Sequence, residues 1–174
     1  VTVTGDKHYE TILTWDQLDA WLPKLEAAEC VAIDTETTSL DAMRAELVGI
    51  SWSIKPGEAA YLPLRHNGPD APVQLPMQEV LAKLKAWLEN PLKLKVGQHI
   101  KYDMNVLSRY GVAVDGVAWD TMLESYVLNS TGSRHDMDSL ALKYLGYKTT
   151  HYEDIAGKGA KQISFSQVSI EDAG

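Results

Sequence analysis

The sequence Cys30-Val-Ala-Ile-Asp-Thr-Glu-Thr-Thr-Ser-Leu40 places acidic residues directly after a short apolar run. The run from Cys30 to Asp34 is typical of a strand buried at the centre of a sheet. In a strand, residues two apart point to the same face. Asp34 and Glu36 therefore project from one side, at the point where the buried strand emerges.

Two carboxylates this close repel each other, and each raises the pKa of the other. A divalent cation relieves that repulsion, and hard oxygen ligands suit magnesium or manganese. Taken alone, however, Asp-x-Glu is a common sequence, and a solvated strand end is the more frequent meaning of such a pair. The pair needs a second signal before it indicates a metal site.

That second signal is the segment Gln98-His-Ile-Lys-Tyr-Asp103, which follows a predicted strand and opens a predicted helix. At ~100° per residue, Asp103 lies close to Ile100 on the helix and borders its apolar stripe. His99 lies one turn before Asp103 on the same face. A carboxylate turned toward a sheet needs a cation or a hydrogen-bond donor, and the residues leave both alternatives open.

Strands and helices alternate on either side of these two segments, which predicts an α/β domain around one sheet. Alternating or continuous apolar runs predict strands over residues 9–13, 30–34, 47–54, 59–63 and 92–96. Apolar residues at helical spacing predict helices marked by Leu18 to Leu25, Val80 to Leu88, Ile100 to Leu107, Trp119 to Val127 and Leu140 to Leu145. Residues 146–167 are expected to be irregular.

The remaining polar residues carry weaker signals. Asp120 is predicted to cap a helix, and His8, His66 and His151 are expected on the surface. Residues 131–162 form the least acidic region, so it is the predicted place for a nucleic-acid strand. There Arg134 lies in a loop that suits a phosphate, and Tyr152 is a candidate for stacking on a base, although an ordinary solvated loop is the default interpretation of both.

Composition limits the class of protein. The chain has 174 residues, 45% hydrophobic and 23% charged, which fits one globular domain and excludes a disordered chain. No apolar run approaches the ~20 residues of a membrane span. Sixteen basic and 24 acidic residues give a net charge of −8, unlike the basic footprint of a duplex-DNA binder. The single cysteine and the polar residues 1–6 predict a reducing, cytoplasmic setting.

Five stretches, in order, resemble the proofreading 3′→5′ exonuclease domain of bacterial DNA polymerase I. Asp34 to Leu40 is similar to its first motif, and Gly97 to Asp103 to its second. The similarity covers nearly the whole chain, from about Tyr9 to the last residue. The other matching stretches are Asp120 to Asn129, Arg134 to Leu140 and Ile155 to Gly159.

The resemblance implies a ribonuclease-H-like fold with a mixed five-stranded sheet flanked by helices. It implies hydrolysis of the 3′-terminal phosphodiester of single-stranded DNA with two divalent cations, Mg²⁺ or Mn²⁺ with Zn²⁺ as an alternative, releasing nucleoside 5′-monophosphates. Asp34, Glu36 and Asp103 match the family's catalytic metal-binding carboxylates. The substrate-binding residues implied are Leu40, Gln98, His99, Tyr102, Arg134 and Tyr152.

The chain departs from this family at two places. The family usually has Asn where this chain has His99, and His can also titrate or bind a metal. The third motif, a Tyr followed four residues later by a fourth metal-binding Asp, is absent. In the family it lies in the helix that here is predicted to begin at Ser169. We therefore expect residues 1–174 to be a single exonuclease domain taken from a larger polymerase, without its C-terminal catalytic helix.

Three functions remain open from the sequence. The first is a monomeric proofreading nuclease that acts on single-stranded DNA beside the polymerase domain of its own chain, in the cytoplasm and near the nucleoid. The second is an inactive exonuclease-like domain that serves as a structural spacer beside a polymerase. The third is a free-standing nuclease that trims RNA. The three carboxylates favour activity, and the matches outside the first two motifs favour the polymerase.

Overall fold

A computed structural model of the protein describes residues 7–132 and 134–173, so the expectation about residues 1–6 lies outside the described residues. The strands are β1 (His8–Thr11), β2 (Cys30–Thr37), β3 (Leu47–Lys55), β4 (Glu58–Pro63), β5 (Leu94–Gly97) and β6 (Val117–Asp120). The helices are α1 (Trp15–Ala27), α2 (Met77–Leu88), α3 (Ile100–Arg109), α4 (Thr121–Leu128), α5 (Met137–Leu140), α6 (Tyr152–Ala156) and α7 (Ile170–Ala173).

The strands form one mixed sheet in the order β1-β4-β3-β2-β5-β6. β3 pairs antiparallel with both β2 and β4, whereas the outer pairs β1·β4, β2·β5 and β5·β6 are parallel. The hairpin between β3 and β4 turns at Pro56 and Gly57. The strand that carries Asp34 and Glu36 thus lies inside the sheet, between β3 and β5.

Two linked predictions are wrong. The sheet has six strands instead of five, and the helix predicted to include Trp119 begins after that residue. Trp119 pairs with Val96 in the sixth strand, and the helix begins only at Thr121. Trp119 lies four residues before Leu123, which is a helical spacing. The apolar pattern therefore predicts a helix and gives no sign of the four-residue strand. The carboxylate of Asp120 ends the strand and caps the helix by accepting from the backbone N–H groups of Met122 and Leu123.

One face of the sheet is packed against helices. Thr14 caps α1 in a reciprocal pair with Gln17, so the helix begins at Trp15. Trp21 of α1 meets Trp52 of β3 edge to face, with ring centroids 6.2 Å apart. The main core between sheet and helices contains, among others, Leu18, Leu25, Val31, Ile33, Ile50, Leu62, Val80, Leu84, Leu88, Ile100 and Leu107.

The opposite face of β2 carries small or polar residues in the register Ala32, Asp34 and Glu36. Ala32 is exposed there, and β3 contributes Ser51 and Ser53. A second, smaller core of Val48, Ala156, Phe165 and Val168 lies near the carboxyl end of the chain. Asp34 and Glu36 point to the face without the main helix layer, and both are partly buried there.

Two predicted helical segments have their apolar residues at the surface. In α4, the exposed fractions of Leu123, Tyr126 and Val127 are 56%, 57% and 84%. The segment after α5 continues as a π-helical turn over Ala141–Leu145, and Tyr144 and Leu145 are each 56% exposed. Both segments therefore have apolar residues at helical spacing, but no other part of the chain that the structure describes covers them. No helix among those residues combines the length and the apolar character needed to cross a bilayer.

Candidate active site

The first two carboxylates are placed by the register of β2. Asp34 pairs with Ser51 and Glu36 pairs with Gly49, both in β3. The register shifts immediately after Glu36, which marks a bulge between Glu36 and Thr37. Bulges redirect side chains at the ends of strands and are frequent next to active sites. Pairing resumes beyond the bulge between Thr37 and Leu47, so β2 ends one residue after its acidic pair.

The third carboxylate comes from α3 and is held by β2 itself. Asp103 is 2% exposed. Its Oδ1 accepts hydrogen bonds from the backbone N–H of Thr35 at 2.9 Å and from the Thr35 hydroxyl at 2.5 Å. The sequence left open whether Asp103 is paired with a cation or with a hydrogen-bond donor. In the structure it has a donor, Thr35, which lies between Asp34 and Glu36 in β2. These bonds bring Asp34, Glu36 and Asp103 to one place.

The electrostatics show three carboxylates that destabilise one another. Burial, then Asp103 and Glu36, raise the pKa of Asp34 to about 8. Burial, then Asp103, raise the pKa of Glu36 to about 7. Burial also raises the pKa of Asp103, although the two bonds from Thr35 oppose this. Along the part of the chain that the structure describes, no Lys or Arg forms a salt bridge with any of them.

The donor chemistry fits a divalent cation. All three side chains offer hard oxygen atoms. Their pKa values are raised because no nearby positive charge among the described residues offsets their burial and repulsion, and a divalent cation would supply that charge. Within residues 7–132 and 134–173, however, no three Asp, Glu, His or Cys side chains converge into a ready-made metal-binding group. The carboxylates share a site and repel one another, and a cation would have to draw them together.

Most of the other predicted site residues line the same cleft, whose volume is about 760 Å³. Leu40 is 98% exposed on the loop after β2. Tyr102 of α3 fixes that loop, because its hydroxyl bonds the hydroxyl of Thr37 and donates to the carbonyl of Ser39. Tyr152 is 45% exposed at the start of α6. Leu40 and Tyr152 thus present apolar and aromatic surface around the carboxylates.

Gln98 and His99 also line the cleft, but both have structural tasks. The amide of Gln98 donates to the carbonyl of His135 at 2.7 Å, and its oxygen accepts from the hydroxyl of Thr121. His99 is the only non-glycine residue with positive φ in the described ranges, at φ 58°. Asn and His are both enriched in this left-handed conformation, so either residue is compatible with the backbone at this position.

Arg134 is not among the residues of the cleft. Its guanidinium pairs with Asp136 at 3.2 Å and its side chain is 88% exposed. Its predicted role in substrate binding therefore stays a prediction without a contact to the carboxylates. The loop that carries Arg134 is nevertheless tied to the cleft, because Gln98 binds the carbonyl of the next residue, His135.

Two contributors to the site gave no recognised signal in the sequence. Thr35 holds Asp103, and Gln162 lines the cleft. His66, which was expected on the surface, is 5% exposed. That expectation is wrong because a lone histidine in a proline-rich loop gives no sign of its partners. His8 and His151, in contrast, are exposed as predicted.

The chain has relatives among known proteins. Residues 9–170 match the model of a family described as 3′–5′ exonuclease. The chain belongs to this family of exonucleases. The exonuclease chain is 58% identical to DNA polymerase I of Pseudomonas aeruginosa over 174 residues, which is 99% of the chain and 19% of that protein. It spans about a fifth of the length of the curated relatives it matches.

Solved structures share the fold of this exonuclease at low identity. The Nibbler exonuclease domain of Aedes aegypti superposes with a TM-score of 0.67 at 14% identity, covering 96% of this chain and 82% of that one. Brucella melitensis NrnC with bound Mg²⁺ gives a TM-score of 0.57 at 20% identity, covering 84% and 65%. The ribonuclease-H-like exonuclease fold expected from the sequence is confirmed, with six strands instead of five.

Proposed function

We propose that this chain is the proofreading 3′→5′ exonuclease domain of a DNA polymerase I. Its substrate would be the 3′ end of single-stranded DNA, and its products nucleoside 5′-monophosphates. The observation that carries the proposal is that Asp34, Glu36 and Asp103 line one cleft together with Leu40 and Tyr152. The 58% identity to a bacterial DNA polymerase I favours DNA over RNA as the substrate.

Asp34, Glu36 and Asp103 would hold two divalent cations, Mg²⁺ or Mn²⁺, with Zn²⁺ as an alternative. Such cations supply charge neutralisation at a phosphodiester and lower the pKa of a bound water. Asp34 and Glu36 must lose their protons first, and Thr35 keeps one oxygen of Asp103 in a fixed place. The other Asp103 oxygen then remains for the cation.

The substrate would lie between the Leu40 loop and α6. Leu40 has almost its whole side chain in solvent, so it can insert against the terminal bases without disturbing the core. The Tyr152 ring offers a stacking surface. Tyr102 would act through the loop that it fixes, and Gln98 through the loop of His135. The positive charge for the phosphate would come from the cations, which reconciles DNA binding with a net charge of −8.

We further propose that the domain forms part of a longer polymerase chain and is completed by a helix with a fourth carboxylate. An open groove of about 870 Å³ lies on the sheet face opposite the main helix layer. Cys30, Ala32, Val96 and Leu145 are among the residues that line it. A helix packed there would bury this surface, on the same sheet face from which Asp34 projects. The expected protein is a monomer that works in the cytoplasm, near the nucleoid.

The test uses the full-length gene product and a 5′-labelled single-stranded DNA, with Mg²⁺ or Mn²⁺ and without deoxynucleotides. A ladder that shortens from the 3′ end is expected, with 5′-monophosphates as products by mass spectrometry. Asp34→Ala should reduce the rate by at least ~100-fold, because losing a metal ligand should cost more than the roughly 10–100-fold typical of losing a residue that only orients a ligand. Asp70→Ala, in an exposed loop, is the matched control and should cleave normally.

Two outcomes would overturn the proposal. DNA that stays intact with the wild-type protein in both metals would favour the inactive structural domain. Faster shortening of an RNA of the same sequence would favour an RNA-trimming nuclease. A second measurement compares residues 1–174 with the same chain extended along its gene by about four helical turns. Equal activity of the two fragments would contradict the proposed completing helix.

A further inference from the structure

Tyr61 lies on the acidic face of the sheet. Across three strands, Asp34 pairs with Ser51, and Ser51 pairs with Tyr61. Directly paired residues of antiparallel strands point to the same face. The Tyr61 side chain therefore shares a face with Asp34 and Glu36, although the strand that carries it lies two strands away. Tyr61 is 3% exposed.

The Tyr61 ring fills the space over Gly49, the residue that pairs with Glu36. A methyl group at Gly49 would come within 2.6 Å of two ring carbons of Tyr61. The absence of a side chain at Gly49 thus allows the ring to lie beside Glu36. The Glu36 carboxylate is near enough to contribute to raising the pKa of the Tyr61 hydroxyl, after burial.

His66 determines where that ring lies. Its Nδ1 is 2.8 Å from the carbonyl oxygen of Val168, so Nδ1 carries the proton and donates. Its Nε2 is then an acceptor, and it is 2.6 Å from the hydroxyl of Tyr61, which donates to it. Burial lowers the pKa of His66, in keeping with this neutral form. One buried imidazole therefore joins β4 to the segment near the carboxyl end.

The same imidazole is also linked to the other wall of the cleft through Phe165. The rings of His66 and Phe165 have centroids 5.8 Å apart. Phe165 in turn stacks on Tyr152, with centroids 6.0 Å apart and planes inclined by 20°. Two arms thus extend from His66: one from Nε2 through Tyr61 toward Glu36, and one from Nδ1 through the Phe165–Val168 segment to Tyr152.

We propose that His66 is a positioning residue that sets both walls of the cleft, Glu36 through Tyr61 and Tyr152 through the Phe165–Val168 segment. This inference rests on the proposed function, in which Glu36 holds a cation and Tyr152 stacks on DNA. His66 touches neither. Its two nitrogen atoms make the two arms separable, because each arm begins at a different ring atom.

Two variants of the full-length protein separate the arms. In His66→Asn, the amide nitrogen replaces Nδ1 and keeps the bond to Val168, whereas the bond to Tyr61 is lost. In His66→Gln, the longer amide replaces Nε2 and keeps a partner for Tyr61, whereas the bond to Val168 is lost. Tyr61→Phe removes the same bond as His66→Asn while keeping the ring, so it tests the first arm with almost no change in volume.

The readouts do not depend on cleavage. Mn²⁺ affinity is measured from the free ion by electron paramagnetic resonance, and DNA affinity by fluorescence anisotropy in saturating Ca²⁺. His66→Asn and Tyr61→Phe should each weaken Mn²⁺ binding about three- to tenfold and leave DNA affinity within twofold. His66→Gln should weaken DNA binding about three- to tenfold and leave Mn²⁺ affinity within twofold. Combining His66→Asn with Tyr61→Phe should weaken Mn²⁺ binding no more than either change alone, because both remove the same bond.

Trp87→Phe is the control for a purely structural effect, since it removes a buried hydrogen bond to the carbonyl of Leu25 in the helix layer. It should lower the melting temperature without changing either affinity. The inference is overturned if both His66 variants lower both affinities equally, or if both match the wild type. If the wild-type protein fails to cleave but the two arms separate, the proposed function fails and the positioning role stands. If it cleaves and the arms do not separate, only the positioning role fails.

Discussion

Thr35 donates both its backbone N–H and its hydroxyl to one oxygen of Asp103, at 2.9 and 2.5 Å. The residue between two acidic side chains of β2 therefore orients the third, which comes from α3. This bond joins two segments that lie 68 residues apart in the chain. It turns two separate acidic motifs into one site.

Thr35→Val should keep the shape of the side chain and remove the hydroxyl donor to Asp103. The Asp103 carboxylate would keep only the backbone N–H of residue 35, so its position would be less fixed. We expect the cleavage rate to fall about tenfold, within the range for residues that orient metal ligands. Single-turnover cleavage of single-stranded DNA measures the effect. Thr11→Val at the end of β1 is the matched control, and an equal loss there would contradict the role of Thr35.

Asp34→Asn should stabilise the metal-free protein at high pH. The folded-state pKa of Asp34 is about 8, well above the ordinary value of 3.8. Between these values the folded state binds more protons than the unfolded state, so stability falls as pH rises toward 8. At pH 9 in EDTA we expect the variant to exceed the wild type by ~1–3 kcal/mol, after allowance for screening. At pH 4 the two should be nearly equal.

Thermal unfolding from pH 4 to 9, with EDTA or with Mn²⁺, checks this prediction. Mn²⁺ should reverse the order at pH 9, because it stabilises the ionised wild-type carboxylates and has a weaker ligand set in the variant. A variant that is less stable than the wild type in EDTA at pH 9 would show that the Asp34 charge is already compensated. Asp70→Asn, in an exposed loop, should change neither curve.

Leu40→Ala should weaken substrate binding without affecting stability. The side chain is 98% exposed, so its removal takes little apolar area out of the folded core. We expect KM for single-stranded DNA to rise about three- to tenfold and the melting temperature to stay within ~1 °C, as for exposed substitutions in general. Leu92→Ala, at a leucine 84% exposed elsewhere, is the control. An equal KM for the two variants would remove Leu40 from the substrate site.

Position 99 should accept Asn and Gly and reject β-branched residues. His99 has φ 58° and ψ 44° at the start of α3. A β-branched residue is strained in this conformation, whereas Asn and Gly adopt it readily. His99→Val should lower the free energy of unfolding by ~1–2 kcal/mol, and His99→Asn by less than ~0.5 kcal/mol. Urea denaturation measures both, and equal losses would show that the backbone at this position is unstrained.

The carboxylate pair and the helix of Asp103 were predictable because each depends on local spacing. Residues two apart share a strand face, and a helical stripe places Asp103 at its border. The hairpin at Pro56 and Gly57 and the capping of α1 by Thr14 are local in the same sense. The sixth strand was not predictable in this way, because only its pairing with β5 distinguishes four extended residues from the first turn of a helix.

The contacts of single polar residues were the other limit. In the sequence, His66 and Arg134 give equally weak signals, since each is a basic or titratable residue in a predicted loop. The structure buries His66 between Tyr61 and Val168 and leaves Arg134 in solvent beside Asp136. Those partners lie at distances along the chain that no periodic pattern encodes.

The sequence by itself determined the α/β class, the family resemblance and the identity of the three carboxylates, because these depend on residue type and short-range spacing. Only the tertiary structure decided that Thr35 holds Asp103, that the apolar side of α4 is exposed, and that His66 contacts both Tyr61 and the segment near the carboxyl end. Those features arise when strands and helices remote in sequence come together. The hydrogen bonds that result are sensitive to differences of a few tenths of an ångström in the distance between donor and acceptor. The residue types that could carry out the chemistry follow from the local sequence, whereas their positions relative to one another depend on tertiary packing.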